Sequence, residues 1–283
     1  MSLVNAIDRA DPPAAPGPGG TRPPTVRSQQ AARRGYGGLI LQFAIKDFKI
    51  RYTHSVLGYA WSVLNPLLFF VLYFIVFTYF VHLDIPHYPA FLLLGVVIWN
   101  FFDEATTSGA GALLARGTLL SKTAMPRIVV VYSALLTAGM TFVVNLLVLF
   151  VFLLFAGPPF ALPAVCFPLL LVDLVLLTLG TALLLAPLYV LYRDVGYLWR
   201  IVLQVGFWMT PIIYLDLMVP EQWRWLVWVN PVGRIIGDSR RVLVYGWWPG
   251  GRGLVLTTLM AVIVCVFGFS VFRRLQARIV EYL

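Results

Sequence analysis

The chain has 283 residues, 60% of them hydrophobic and only 12% charged, where soluble domains carry about 25% charged residues. This balance excludes an ordinary water-soluble domain and makes the lipid bilayer the natural solvent. The formal net charge of +9 is not a nucleic-acid footprint, because the basic residues sit at the ends of apolar runs rather than on one polar domain.

Residues 1–35 include "DPPAAPGPGGTRPPTVRSQQAARR". Pro, Gly and Ala with scattered Arg bury too little surface to fold, so a disordered tail is expected. With no apolar core before residue 35, no signal peptide is expected either.

Residues 36–58 begin a transmembrane domain over 36–273 with a helix expected to lie along the membrane surface. At helical spacing Leu41, Ala44, Ile45, Phe48 and Tyr52 share one face, and Gln42, Lys46, Lys49 and Thr53 the opposite one. Asp47 and Arg51 are spaced to pair within this helix. An apolar stripe with a basic flank is the interfacial pattern; an ordinary solvated helix is the plainer alternative.

Six spans are expected near 61–81, 89–110, 128–155, 165–191, 199–217 and 254–273. Each approaches the roughly 20 apolar residues a helix needs to cross about 30 Å of hydrocarbon. Pro66 falls in the first turns of the first span, where it is tolerated. The stretch 160–191 is too long for one straight helix and holds Pro163, Pro168 and Pro187, so a kink or oblique entry is expected. Residues 274–283 form a short C-terminal tail.

Lys and Arg set the orientation. Of 21 such residues, sixteen fall in the N-terminal segment, the 111–127 and 192–200 connections and the C-terminus, which places both termini in the cytoplasm. The remaining five, Arg224, Arg234, Arg240, Arg241 and Arg252, all lie in 218–252 on the outer side. That segment is aromatic, too short to span and broken at Asn230-Pro231. It is expected to form two short helices that dip into the outer leaflet and return, shaping the mouth of a pathway. The alternative is an outer loop whose Trp side chains rest at headgroup level.

Chemistry-bearing residues are sparse. There is no GxxxxGK[ST] phosphate loop, and no His-Cys-carboxylate cluster suggests an enzyme. His82, Asp84 and His87 make only a weak metal pattern, and no metal site is assigned. Cys166 and Cys265 lie in apolar runs and read as small hydrophobes. Asp103, Glu104 and Asp173 lie inside expected spans, where acids are costly; they serve either as anchors for neighbouring Arg or Lys or as a proton relay. In the first span Phe69, Tyr73, Phe77 and Phe80 share one helical face, and Phe207, Trp208 and Tyr214 follow in the fifth. These rings suit either the stacking of sugar rings or plain contact with lipid.

Four stretches in order give the chain a resemblance. "KIRYTHSVLGYAWSVLNPLL", "LLLGVVIWNFF", "LLSKTAMPRIVVV" and "YRDVGYLWRIVLQVGFWMTPIIY" with the following "VPEQWRWLVWVNPVGRIIGDSRRVLVYG" resemble the membrane subunit of type-two ABC exporters of polysaccharides and polyol phosphates. Gly117 departs from the polar Asn expected before the loop motif.

The resemblance implies an all-α membrane domain that exports a polyprenyl-linked O-antigen, capsule or teichoic-acid-like polymer across the cytoplasmic membrane. It implies two copies of this chain and two of a separate ATP-binding subunit, which carries the ATP and Mg that this chain lacks. Leu119, Leu120, Lys122, Met125, Pro126 and Arg127 would then form the coupling loop to that subunit. Tyr59, Trp61 and the two aromatic sets would line the substrate path. Lys46, Lys49 and Arg51 would attract the diphosphate headgroup. Arg224, Asn230, Pro231, Arg234 and Arg240 would build the re-entrant segment. Export of a smaller lipid or drug by the same architecture, a proton-coupled transporter and a membrane transferase are the alternatives; the last two lack the internal repeat and the acid-rich loops they need.

Overall fold

The computed structural model describes residues 26–52, 58, 60–82, 85–122, 125–156 and 161–281. Among the described residues every regular element is helical. Residues 38–283 form one compact unit; of residues 1–37, the described part belongs to the first helix. The ten α-helices are α1 Val26–Tyr52, α2 Ala60–Ile75, α3 Tyr88–Ala115, α4 Gly117–Lys122, α5 Ile128–Ala156, α6 Phe167–Leu191, α7 Val195–Met209, α8 Arg224–Val229, α9 Pro231–Leu243 and α10 Gly251–Leu275. Most of the expected tail, with Thr53, His54, Tyr59, Asp84 and Thr123, lies outside the described residues.

Five helical segments among the described residues are long and apolar enough to cross a membrane: Val63–Phe80, Tyr88–Ala115, Ile128–Phe155, Leu162–Leu191 and Gly251–Leu275. They match five of the six expected spans. The sixth, expected over 199–217, is helical only over Val195–Met209, or about 22 Å at 1.5 Å per residue. Thr210 turns extended and Pro211 follows, because the residue before a proline avoids the helical conformation.

Prolines shape the other ends as well. Leu162–Cys166 is a short 3-10 turn that feeds α6, with Pro163 and Pro168 each in the first positions of its helical piece, where the missing N–H costs nothing. The long 160–191 stretch is therefore stepped. Beyond Ile75 the first span continues as a π-helical turn, Val76–Phe80.

The core is organised around α3, whose side chains from Tyr88 to Leu113 are mostly buried. It packs against α5 and α6, and α6 packs along α10. The last contact is close: a Cβ placed on Gly268 would lie 1.9 Å from the carbonyl oxygen of Gly180. Two small residues here let the backbones touch, the usual device where no hydrophobic force draws helices together. The spans of α2 and α10 are apolar and the least buried of the five, as expected of surfaces that face lipid.

The two ends of the bundle differ. At one end Arg127 Nη1 donates to the carbonyl of Gln276 (2.6 Å), and Arg116 pairs with Asp47. This gathers α4, the end of α10 and α1. At the other end α8 and α9 meet at Asn230-Pro231, which places the expected break in the helix pair where the sequence has it. Asn230 Oδ1 accepts from the N–H of Val232 (3.0 Å) and Gly233 (3.2 Å), while its amide donates to Thr210 Oγ1 (2.7 Å). Asn as N-cap with Pro at the first helical position is the strongest start a helix has.

Candidate functional site

Three stripes at helical spacing converge on one groove of about 780 Å3. From α2 come Asn65, Phe69 and Tyr73, each four residues from the next. α3 contributes Val96, Trp99, Asn100, Asp103 and Thr107. α7 contributes Arg200, Leu203, Gln204, Phe207 and Trp208. Side chains three and four apart on a helix share a face, so α7 presents one face to the groove from Arg200 to Trp208.

The rings form a continuous path. Phe69 lies 6.1 Å from Tyr73, Tyr73 stacks on Phe207 at 5.5 Å, and Phe207 meets Trp99 edge-on at 5.9 Å and Trp208 at 5.6 Å. Phe69 and Trp208 are about half exposed, at 47% and 56%. The amide, carboxylate and guanidinium side chains of Asn65, Asn100, Gln204, Asp103 and Arg200 line the same groove. Flat apolar faces beside planar polar groups suit a hydroxylated ring, whose faces stack while its edges hydrogen-bond.

Of the expected path residues, Phe69, Tyr73, Phe207 and Trp208 meet here. Tyr214 stands beside the groove, donating its hydroxyl to the carbonyl of Trp208 (2.7 Å). Phe77 packs on the core, and Trp61 and Phe80 are exposed elsewhere on the first span. Asn65, Trp99, Asn100, Thr107, Arg200 and Gln204 were not singled out from the sequence. The α3 polar set, at i, i+3 and i+7, is a signal that helical spacing alone contains.

The acids of α3 separate. Glu104 pairs with Arg51 of α1 and lies within 3.5 Å of Thr141 Oγ1, which is the anchoring role. Asp103 accepts from Thr107 Oγ1 (3.2 Å) and faces the groove. The expected Asp47–Arg51 pair within α1 is not formed. Arg51 turns instead to Glu104 of α3 and Asp47 to Arg116 just past its end, where partial burial makes a charge pair worth more than on an exposed helix face. Asp173 is fully buried between α6 and α10 and accepts from Thr258 Oγ1 (2.9 Å); among the described residues its other oxygen has no partner.

The expected coupling loop is the short helix α4 with the turn after it. Thr118, Leu119, Ser121 and Lys122 face outward, whereas Leu120 and Met125 pack into a second apolar cluster with Val131, Leu183 and Phe272. Pro126 and Arg127 are half-buried. Lys46 and Lys49 are exposed on α1.

At the opposite end three of the five arginines of 218–252 donate to carbonyls. Arg240 is 4% exposed. Its Nε donates to Phe91 O (3.1 Å), Nη1 to Pro211 O (2.5 Å) and Nη2 to Ile212 O (2.6 Å), and its guanidinium lies 3.3 Å from the centre of the Phe91 ring. Arg234 donates to Thr257 Oγ1 (3.0 Å) and Gly253 O (2.9 Å). Arg224 donates to Val219 O (3.1 Å) and sits 3.5 Å from Glu221. Arg241 lies 3.4 Å from Asp238. Among the described residues no three metal-ligating side chains come together.

Residues 39–237 match the model of the ABC-2 type transporter family. The chain belongs to the ABC-2 type transporter family. It is 31% identical over 246 residues to the O-antigen export system permease protein RfbA of Klebsiella pneumoniae, covering 87% of this chain and 95% of that protein. A protein of the same name from Myxococcus xanthus is 27% identical over 248 residues, with the same coverage. The polysialic acid transport protein KpsM of Escherichia coli is 22% identical over 233 residues, 81% of this chain and 90% of that one. This ABC-2 chain is therefore a multi-pass membrane permease of the type-two ABC exporter class. The matched region contains the groove, α4, α8 and most of α9.

Proposed function

We propose that this chain is the membrane subunit of an ATP-driven exporter of a polyprenyl-linked polysaccharide or teichoic-acid-like polymer. It works in the cytoplasmic membrane as two copies with two ATP-binding subunits, which supply ATP and Mg. Both termini are cytoplasmic, α1 lies along the membrane surface, α7 supplies the fifth of six spans and the α8–α9 pair re-enters at the outer mouth. The observation that carries this reading is the groove, where rings and planar polar groups from α2, α3 and α7 form one path. The relatives named for O-antigen and polysialic acid transport support it.

The outward side chains of α4, with Lys122 foremost, offer the grip for the ATP-binding subunit. Lys46, Lys49 and Arg51 line the approach of an anionic headgroup. Reversing all three charges lowers export of the lipid-linked glycan while the complex still assembles; unchanged export removes that role.

The deciding experiment is a mild-detergent pull-down of the tagged chain from its own membranes, followed by reconstitution in vesicles. A co-purifying protein with a GxxxxGK[ST] loop, and ATP-dependent movement of a lipid-linked glycan, are expected. A chain that stays alone when crosslinked at Lys122 defeats the reading. Transport of small lipids or drugs in place of the glycan favours the smaller-substrate alternative.

A further inference from the structure

Arg116 is the last residue before α4, and it joins the end of α3 to both α1 and α5. Its Nη2 pairs with Asp47 of α1. Its Nη1 donates to Ser133 Oγ of α5 (2.9 Å). Its guanidinium lies 4.5 Å from the centre of the Phe43 ring, also on α1. Only a planar fork with several donors makes two such bonds while lying on a ring, so Lys is no substitute here. The side chain is 16% exposed and that of Asp47 is 37% exposed, so screening by solvent is partial.

The attachment of α1 to the rest of the molecule is largely polar at this point. Thr137 Oγ1 reaches the carbonyl of Ala44 at 3.4 Å, and Arg51 pairs with Glu104. Between α1 and the α3–α5 pair lies a cavity of about 460 Å3, with Asp47, Arg51 and Arg116 on its wall. The two ion pairs leave α1 one turn apart, at Asp47 and Arg51, but reach Glu104 within α3 and Arg116 just past its end. Those positions are about 18 Å apart along the helix axis. Two ties that converge on α1 and diverge on α3 act as a lever: moving the Arg116 end while Glu104 stays fixed turns α1. The far end of the loop has its own tie, Arg127 to Gln276 at the end of α10 (2.6 Å).

We infer that Arg116 is a positioning residue for transport, passing the movement of the 117–127 loop to α1 through its ion pair with Asp47. This rests on the reading of the chain as an ATP-driven exporter. When the ATP-binding partner shifts α4, Arg116 moves with it, and Asp47 and Phe43 draw α1 along. The loop then opens the approach to the groove as well as moving the spans.

The test uses the complex with its ATP-binding subunit in proteoliposomes containing radiolabelled lipid-linked glycan extracted from the source membranes. ATP hydrolysis and glycan exported per ATP are measured together. Arg116→Gln and Asp47→Asn are each expected to hydrolyse ATP near the wild-type rate while export per ATP falls at least about fivefold, the lower end of ordinary coupling between sites. Arg116→Lys, which keeps the charge but not the fork, is expected to fall between. The exchanged pair, Asp47→Arg with Arg116→Asp, is expected to regain part of the ratio. An unchanged ratio in either single variant overturns the proposal. So does a parallel loss of hydrolysis and export, which marks a merely structural role. If Arg116→Gln fails to assemble, Asp47→Asn at its partly exposed site decides by the same ratio. A wild-type complex that exports no glycan defeats the exporter reading instead, and is seen before any variant is measured.

Discussion

Single residues bear on the one segment that did not fit the charge rule. The five arginines of 218–252 fall on the expected outer side, and Arg240, Arg234 and Arg224 are donors to free carbonyls that loops and helix ends leave behind. A one-dimensional reading counts charges and does not see which carbonyls need them. Arg240→Met leaves the carbonyls of Phe91, Pro211 and Ile212 without this donor, at about 1–3 kcal/mol for each buried group orphaned. Thermal unfolding in detergent, followed by tryptophan fluorescence, is expected to show a clearly lower midpoint, with Arg252→Met at an exposed position unchanged. Equal midpoints would mean the three bonds contribute nothing. Asp173 poses the opposite case, a buried acid with one donor. Asp173→Asn retains an oxygen for Thr258 and removes the proton chemistry. In an ATP-driven pump export continues, whereas export that stops with ATP hydrolysis intact makes Asp173 a relay.

Elements were legible wherever a long apolar run had clear ends. Five expected spans are present within a few residues of their helices, because length and apolarity alone decide what crosses a bilayer. The break at Asn230-Pro231 was equally visible, since Asn and Pro have fixed places at a helix start. The shortness of α7 was missed: Thr210-Pro211 ends it inside a run that is still apolar as far as Tyr214. The Asp47–Arg51 pair failed for a different reason. Spacing along one helix permits a contact, but the better-buried Glu104 of α3 and Arg116 just past its end take both residues. Closeness between helices is also invisible in a linear pattern, and the α6–α10 contact rests on it. A methyl at Gly268 meets the Gly180 carbonyl, which is backbone and cannot turn aside. Gly268→Ala is therefore expected to cost about 1–3 kcal/mol as an overpacked contact. Gly139→Ala, in α5 where nothing lies near, is expected to be harmless. The two are compared by detergent melting, and equal stability would show that the helices have room to part.

At the scale of the molecule the groove is the part that a single sequence half revealed. The aromatic faces of the first and fifth expected spans were readable from spacing. Their union with the polar stripe of α3 depends on how three helices pack, which spacing does not give. The groove is open along one side, and Phe69 and Trp208 remain about half exposed. An aqueous path for a sugar polymer cannot be bounded by lipid on that side, because its polar groups would be left without water or partners. In the proposed assembly of two copies, a second copy facing the first would close it, with α2 and α7 of each copy at the seam. In a background where Cys166 and Cys265 are replaced by serine, Phe69→Cys with Trp208→Cys is then expected to form a disulfide between two copies under mild oxidation, since linkage needs Cα atoms within about 7 Å. The linked dimer should form in membranes and block export until it is reduced. Failure to link while export proceeds would place the path on another face of the permease, and the rings of this groove would then be lipid-facing side chains.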